Sequence, residues 1–133
     1  MRGETFDPFQ VVVVPFPFTD KPTAKRRPAL IVSTGWFNDR HSQFMLAMIT
    51  SARHSAWPSD VRLQEWRAAR LTAPCVVRFK LFTLDVSLIL EAIGVLAEPD
   101  RQATAAMVSR CMAFSDITPK WSAGGGSTPQ SAP

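Results

Sequence analysis

The stretch Gln10–Thr34, QVVVVPFPFTDKPTAKRRPALIVST, decides the reading of this chain. It holds two short apolar runs, Val11–Val14 and Ala29–Val32. Both are too short for a helix and rich in β-branched residues, so both are expected to be strands. Four consecutive valines further imply burial on both faces of the first strand. Between the runs lies a polar, basic turn region, Thr19–Arg27, that carries Asp20, Lys21, Lys25, Arg26 and Arg27. Pro15 and Pro17 cannot donate to a ladder, which places PFPF at an edge, a bulge or a strand end. Pro28 restrains Arg27 to an extended backbone. A guanidinium mounted so stiffly can meet a phosphate through two parallel hydrogen bonds, where the same charge on a loose turn would only be solvated.

Outward from that stretch, Gln43–Ser51 (QFMLAMITS) reads as a third strand, with Phe44, Leu46, Met48 and Thr50 on one face. Gly35–Asp39 between them reads as a turn, with Trp36 and Phe37 covering the core. Val61–Glu65 is a short strand in this reading. Cys75–Leu81 is a longer one with Arg78 and Lys80 on its outer face. Phe82–Asp85 is then a corner and Leu88–Gly94 the last strand. Pro99–Phe114 carries the clearest helical pattern. Pro99 suits the first turn, Asp100 suits the positive end of the helix dipole, and Ala103, Met107, Cys111 and Phe114 form an apolar stripe. Residues 1–118 are thus expected to make a single mostly β domain with a C-terminal helix, an α+β chain whose antiparallel sheet closes into a small barrel. Residues 119–133, rich in Gly, Ser and Pro, are expected to form a disordered tail.

Composition narrows the function classes. The 133 residues, 46% of them hydrophobic, suit one domain. No apolar run approaches the roughly 18 residues that span a bilayer, and MRGETFDPF lacks the apolar core of a signal peptide, so no membrane partner and a cytoplasmic location are expected. Cys75 and Cys111 lack metal-ligand spacing and read as buried free thiols. No zinc spacing, P-loop, dinucleotide fingerprint or nucleophile elbow occurs, and no cofactor or metal is expected. Net charge is +4, unevenly spread: residues 1–80 hold 12 Lys/Arg and 6 Asp/Glu, residues 81–133 hold 3 and 5. The basic first part is the expected face for a polyanion.

Three segments in order resemble the PemK/MazF family of toxins from toxin–antitoxin pairs. They are VVVVPFPFTD with KRRPALIVS (Val11–Ser33), MITSA (Met48–Ala52), and VVRFKLFTLD with AIGVL after it (Val76–Leu96). The resemblance implies an SH3-like small β-barrel of the CcdB/PemK kind that forms a homodimer. It further implies a metal-independent endoribonuclease that cuts single-stranded RNA and is blocked by a cognate antitoxin. Carried over position by position, the catalytic pair is Arg27 of the Arg-Pro motif and Thr50 of the Ile-Thr motif. Phe18, Thr19, Lys25, Arg26 and Ser51 are then candidates for RNA binding, with Lys21, Arg53, Arg78 and Lys80 as further cations and Phe16 or Phe18 as a stacking ring. Two departures stand out. The family often opens its first strand with Gly-Asp where this chain has Phe9-Gln10, and acidic residues of some members are replaced by Lys25, Arg26 and Phe79. His41 and His54 match no family position. The competing readings are a protein poison of the DNA-gyrase type, which shares the fold, and a barrel that binds RNA without cutting it.

Overall fold

The computed structural model describes residues 6–16, 24–53 and 56–113. Six strands form one antiparallel sheet: β1 (Gln10–Phe16), β2 (Lys25–Ile31), β3 (Gln43–Ser51), β4 (Val61–Arg62), β5 (Cys75–Asp85) and β6 (Glu91–Val95), in the order β4-β5-β3-β2-β1-β6. Two helices accompany it, α1 (Gly35–His41) and α2 (Glu98–Cys111). The mostly β architecture with a C-terminal helix agrees with the sequence reading. The sheet curls as a half-barrel, with β4 and β6 as its two edges.

Because side chains alternate along a strand, the two faces carry separate cores. Val11, Leu30, Ala47, Ile49 and Val77 build the first, under Leu63, Ala69, Leu71 and Leu96. Val12, Val14, Ala29, Ile31, Phe44, Leu46 and Leu84 build the second. Val11, Val12 and Val14 are fully buried, as the valine run implied. Each contributes about 1.5–3 kcal/mol by leaving water.

The open seam is filled by packing. The turn at residues 66–70 presses against β6 so closely that a Cβ on Gly94 would stand 2.5 Å from the Ala69 carbonyl oxygen. Asp100 of α2, 1% exposed, accepts hydrogen bonds from the backbone N–H of Gln64 and Glu65, both at 2.8 Å. This corrects the expected apolar stripe. Met107 does pack against the first core, but Ala103 and Cys111 are exposed, and Asp100 and Thr104 are the buried residues of the helix. The carboxylate serves two backbone donors that would otherwise be orphaned under the helix. Cys75 is buried as expected, and burial pushes its thiol pKa up.

Other boundaries differ from expectation, among them the ends of β4 at Arg62 and β6 at Val95. Gly35–His41 is a helix, started by Thr34, whose Oγ accepts from the Phe37 N–H at 3.3 Å, and ended by Ser42 in the left-handed region (φ 52°). Trp36 is 64% exposed on it, and the inward residue is Asn38. Asn38 is buried because it is fully engaged: Ser33 Oγ donates to its Oδ1, and its Nδ2 donates to the Phe6 carbonyl at 2.7 Å. Next, β5 runs through the expected corner to Asp85. Phe79 and Lys80 are the extra residues of a bulge between the Ala47↔Leu81 and Met48↔Arg78 pairs, and the bulge does the bending. The reversal follows at Val86–Leu88, a 3₁₀ turn in which the Asp85 carboxylate accepts from the Ser87 N–H. Finally, Phe9, in the turn before β1, takes the left-handed region at φ 73°. A non-glycine side chain in that region costs about 1–2 kcal/mol.

Candidate nucleic-acid interface

The site lies at the end of the sheet where β2 begins and β3 ends. β2 starts four residues before the expected Ala29, so Arg27 is part of the strand, paired with Val14 of β1. On the other side, the β2–β3 ladder covers only Ile31↔Leu46, Leu30↔Ala47 and Ala29↔Met48. It stops beside Pro28, which has no N–H to give. Arg27 and Thr50 are each two residues further along from the last pair, so they stand across from one another on one face, where the strands are no longer zipped together.

Parity then sorts the candidates. Lys25, Arg27, Val14 and Phe16 share the face of the second core, because Phe16 pairs with Lys25 and Val14 with Arg27. Thr50 is on that face as well, since Leu46 and Phe44 of β3 belong to the second core. Lys25 and Arg27 are exposed, Phe16 is 39% exposed, and Thr50 is half-buried. Arg26 faces the other way and forms an exposed ion pair with Glu91 of β6, Nη2 to Oε1 3.0 Å. Ser51 also lies on the opposite face, where its Oγ accepts from the Arg53 N–H at 3.2 Å. Phe18, Thr19, Lys21 and His54 lie outside the described residues. His41 is on α1, against the rings of Phe37 and Trp36. It is a whole β3 length from Thr50, about 25 Å at the usual strand rise.

The charges divide by partner. Arg78 shares the face of Thr50, but its guanidinium grips Asp60 through two bonds, Nε–Oδ1 3.0 Å and Nη2–Oδ2 2.8 Å, and lies over Trp57 at 5.3 Å. That side-chain hydrogen bond with Arg78 holds the Asp60 carboxyl below the usual range and raises the arginine in turn. Lys25 and Arg27 have no partner among the described residues. The sequence reading passed over a third such cation. Arg62 of β4 pairs with Val76 of β5, and Val76 pairs with Thr50, so Arg62 is on the same face, two strands from the hydroxyl. It is exposed and also lacks a partner among the described residues. A line across the sheet thus reads Arg62, Val76, Thr50, Arg27, Val14: two guanidiniums without a carboxylate among the described residues, with a hydroxyl between them on an apolar floor.

The profile of PemK-like, MazF-like toxins of type II toxin–antitoxin systems matches residues 7–111, most of the chain. The chain belongs to that family. Solved structures of this toxin class share its fold. An endoribonuclease in complex with its cognate antitoxin from a mycobacterial species is 14% identical (TM-score 0.62), the alignment covering 80% of this chain and 92% of that one. MazF from Deinococcus radiodurans is 21% identical (TM-score 0.62, 80% and 96% covered). Toxin MazF-mt6 from Mycobacterium tuberculosis is also 21% identical (TM-score 0.60, 80% and 96% covered). No curated protein sequence matches. For this PemK/MazF-like chain the likeness to solved structures establishes the fold. Among its described residues no helix is long and apolar enough to cross a membrane.

Proposed function

We propose that the protein is an endoribonuclease toxin that cleaves single-stranded RNA at selected sequences and thereby stops translation. The ribose 2′-oxygen attacks the adjacent phosphorus, forming the 2′,3′-cyclic phosphate. The P–O5′ bond breaks, the 2′-OH proton passes to solvent, and the leaving 5′-oxygen takes up a proton. Negative charge gathers on the phosphate oxygens in the transition state, where a preorganised guanidinium is worth most. Arg27 supplies it. Thr50 hydrogen-bonds the phosphate or orients the 2′-OH. Lys25 adds a positive charge for the RNA backbone, and Phe16 a ring for a base. The observation that carries this reading is the placement of Arg27 and Thr50 on one accessible face at the point where the β2–β3 ladder ends. The active form is a homodimer, held inactive by a cognate antitoxin over the same face.

The test is incubation of the purified protein with a long single-stranded RNA in EDTA, followed by mapping of 5′ ends. Discrete 5′-hydroxyl ends at a recurring motif are the expected result. RNA left intact, with DNA supercoiling by gyrase inhibited instead, overturns the proposal in favour of a protein poison.

A further inference from the structure

Arg62 is two strands from Thr50 on the side away from Arg27, through the register pairs Arg62↔Val76 and Val76↔Thr50. Two strand spacings are about 10 Å. That is too far for Arg62 to duplicate Arg27 at one phosphate oxygen, and comparable with one nucleotide step plus the reach of an arginine. The floor between them, Val76, is 6% exposed and offers neither donor nor charge. The neighbouring cation on this face, Arg78, is neutralised by Asp60, whereas Arg62 has no carboxylate among the described residues. Val61, one residue before it, is buried in the first core, which fixes the parity of this two-residue strand and so the face on which Arg62 stands.

We propose that Arg62 is a substrate-positioning residue that holds the backbone phosphate next to the one cleaved, so that Arg62 and Arg27 clamp the strand on either side of Thr50. The proposal rests on the reading of this face as an RNA groove. It does not need the chain to be catalytic.

The experiment measures binding of a short fluorescent single-stranded RNA to the Thr50→Val protein, with and without Arg62→Ala, across a salt series. Losing one phosphate contact is expected to weaken binding about 3–10-fold at low salt and to reduce the slope of log K against log salt by about 0.7. Arg62→Lys should restore most of the slope. Arg110→Ala, the same charge removed from exposed α2, is the control. In the otherwise wild-type protein, Arg62→Ala should raise KM by a similar factor and leave kcat within about twofold. Affinity and slope equal to those of the parent overturn the proposal, as does a protein that binds no RNA. RNA binding that depends on Arg62 in a protein that cuts nothing would support the clamp while sinking the nuclease. Cleavage indifferent to Arg62 would do the reverse.

Discussion

Arg26 and Arg27 are adjacent on one strand, both exposed, and have opposite surroundings. Arg26 looks across β1 to Glu91 and spends its charge there. Arg27 looks into the gap beyond Pro28 with no carboxylate among the described residues. Local sequence treats the two as one basic pair, and the alternation of a strand separates them completely. A cation becomes a candidate for phosphate only when the fold withholds its counter-ion, and among the described residues this face offers none to Lys25, Arg27 and Arg62 while supplying one to Arg78.

The sharpest way to break that contrast is to remove each arginine in turn. Arg27→Ala should cut RNA turnover about 10²–10³-fold, the loss of one transition-state donor, with the thermal transition unchanged. Arg26→Ala should cost no more than about fivefold, since it removes one exposed charge from the reverse face. Equal losses would show that parity does not govern the site. Thr50→Val keeps the shape and deletes the hydroxyl. Turnover should fall about 10–100-fold, the worth of a hydrogen bond to a charged group, while RNA affinity stays close to that of the parent. An unchanged rate would remove the hydroxyl from the reaction.

The paired groups should answer in stability instead. Asp100→Ala strips two part-buried N–H groups, of Gln64 and Glu65, of their acceptor. It should cost about 2–4 kcal/mol in urea unfolding, with activity per folded molecule retained. The smallest effect concerns Asp60, whose pKa in the folded protein is held below its unfolded value by Arg78. Its stabilising contribution is therefore present above the unfolded value, near 4, and fades as pH falls through the lower folded one. The wild-type advantage in Tm over Asp60→Asn should shrink on acidification below about pH 4, measured by calorimetry. An advantage that grows there would contradict the pairing.

Much of this was legible in the chain. β3 falls at Gln43–Ser51 as read, and the valine run is buried on both faces, because short β-branched stretches with period two leave few alternatives. Arg27 and Thr50 were reached through motif resemblance. Arg62 was not, because VRL in a loop-flanked segment carries no local mark of which strand it joins. The errors have the same origin. The helix at Gly35–His41 is decided by Asn38 meeting Ser33 and Phe6, and the burial of Asp100 by two N–H groups 35 and 36 residues away.

Residue order alone accounts for the strands, the basic first part and the stiff mounting of Arg27, since propensity, charge and proline geometry act within a few residues. Which charges meet a carboxylate, and which are left to face one another across a hydroxyl, followed only from folding. Strand register joins positions far apart in the chain, and a shift of one residue would send every one of these side chains to the other face.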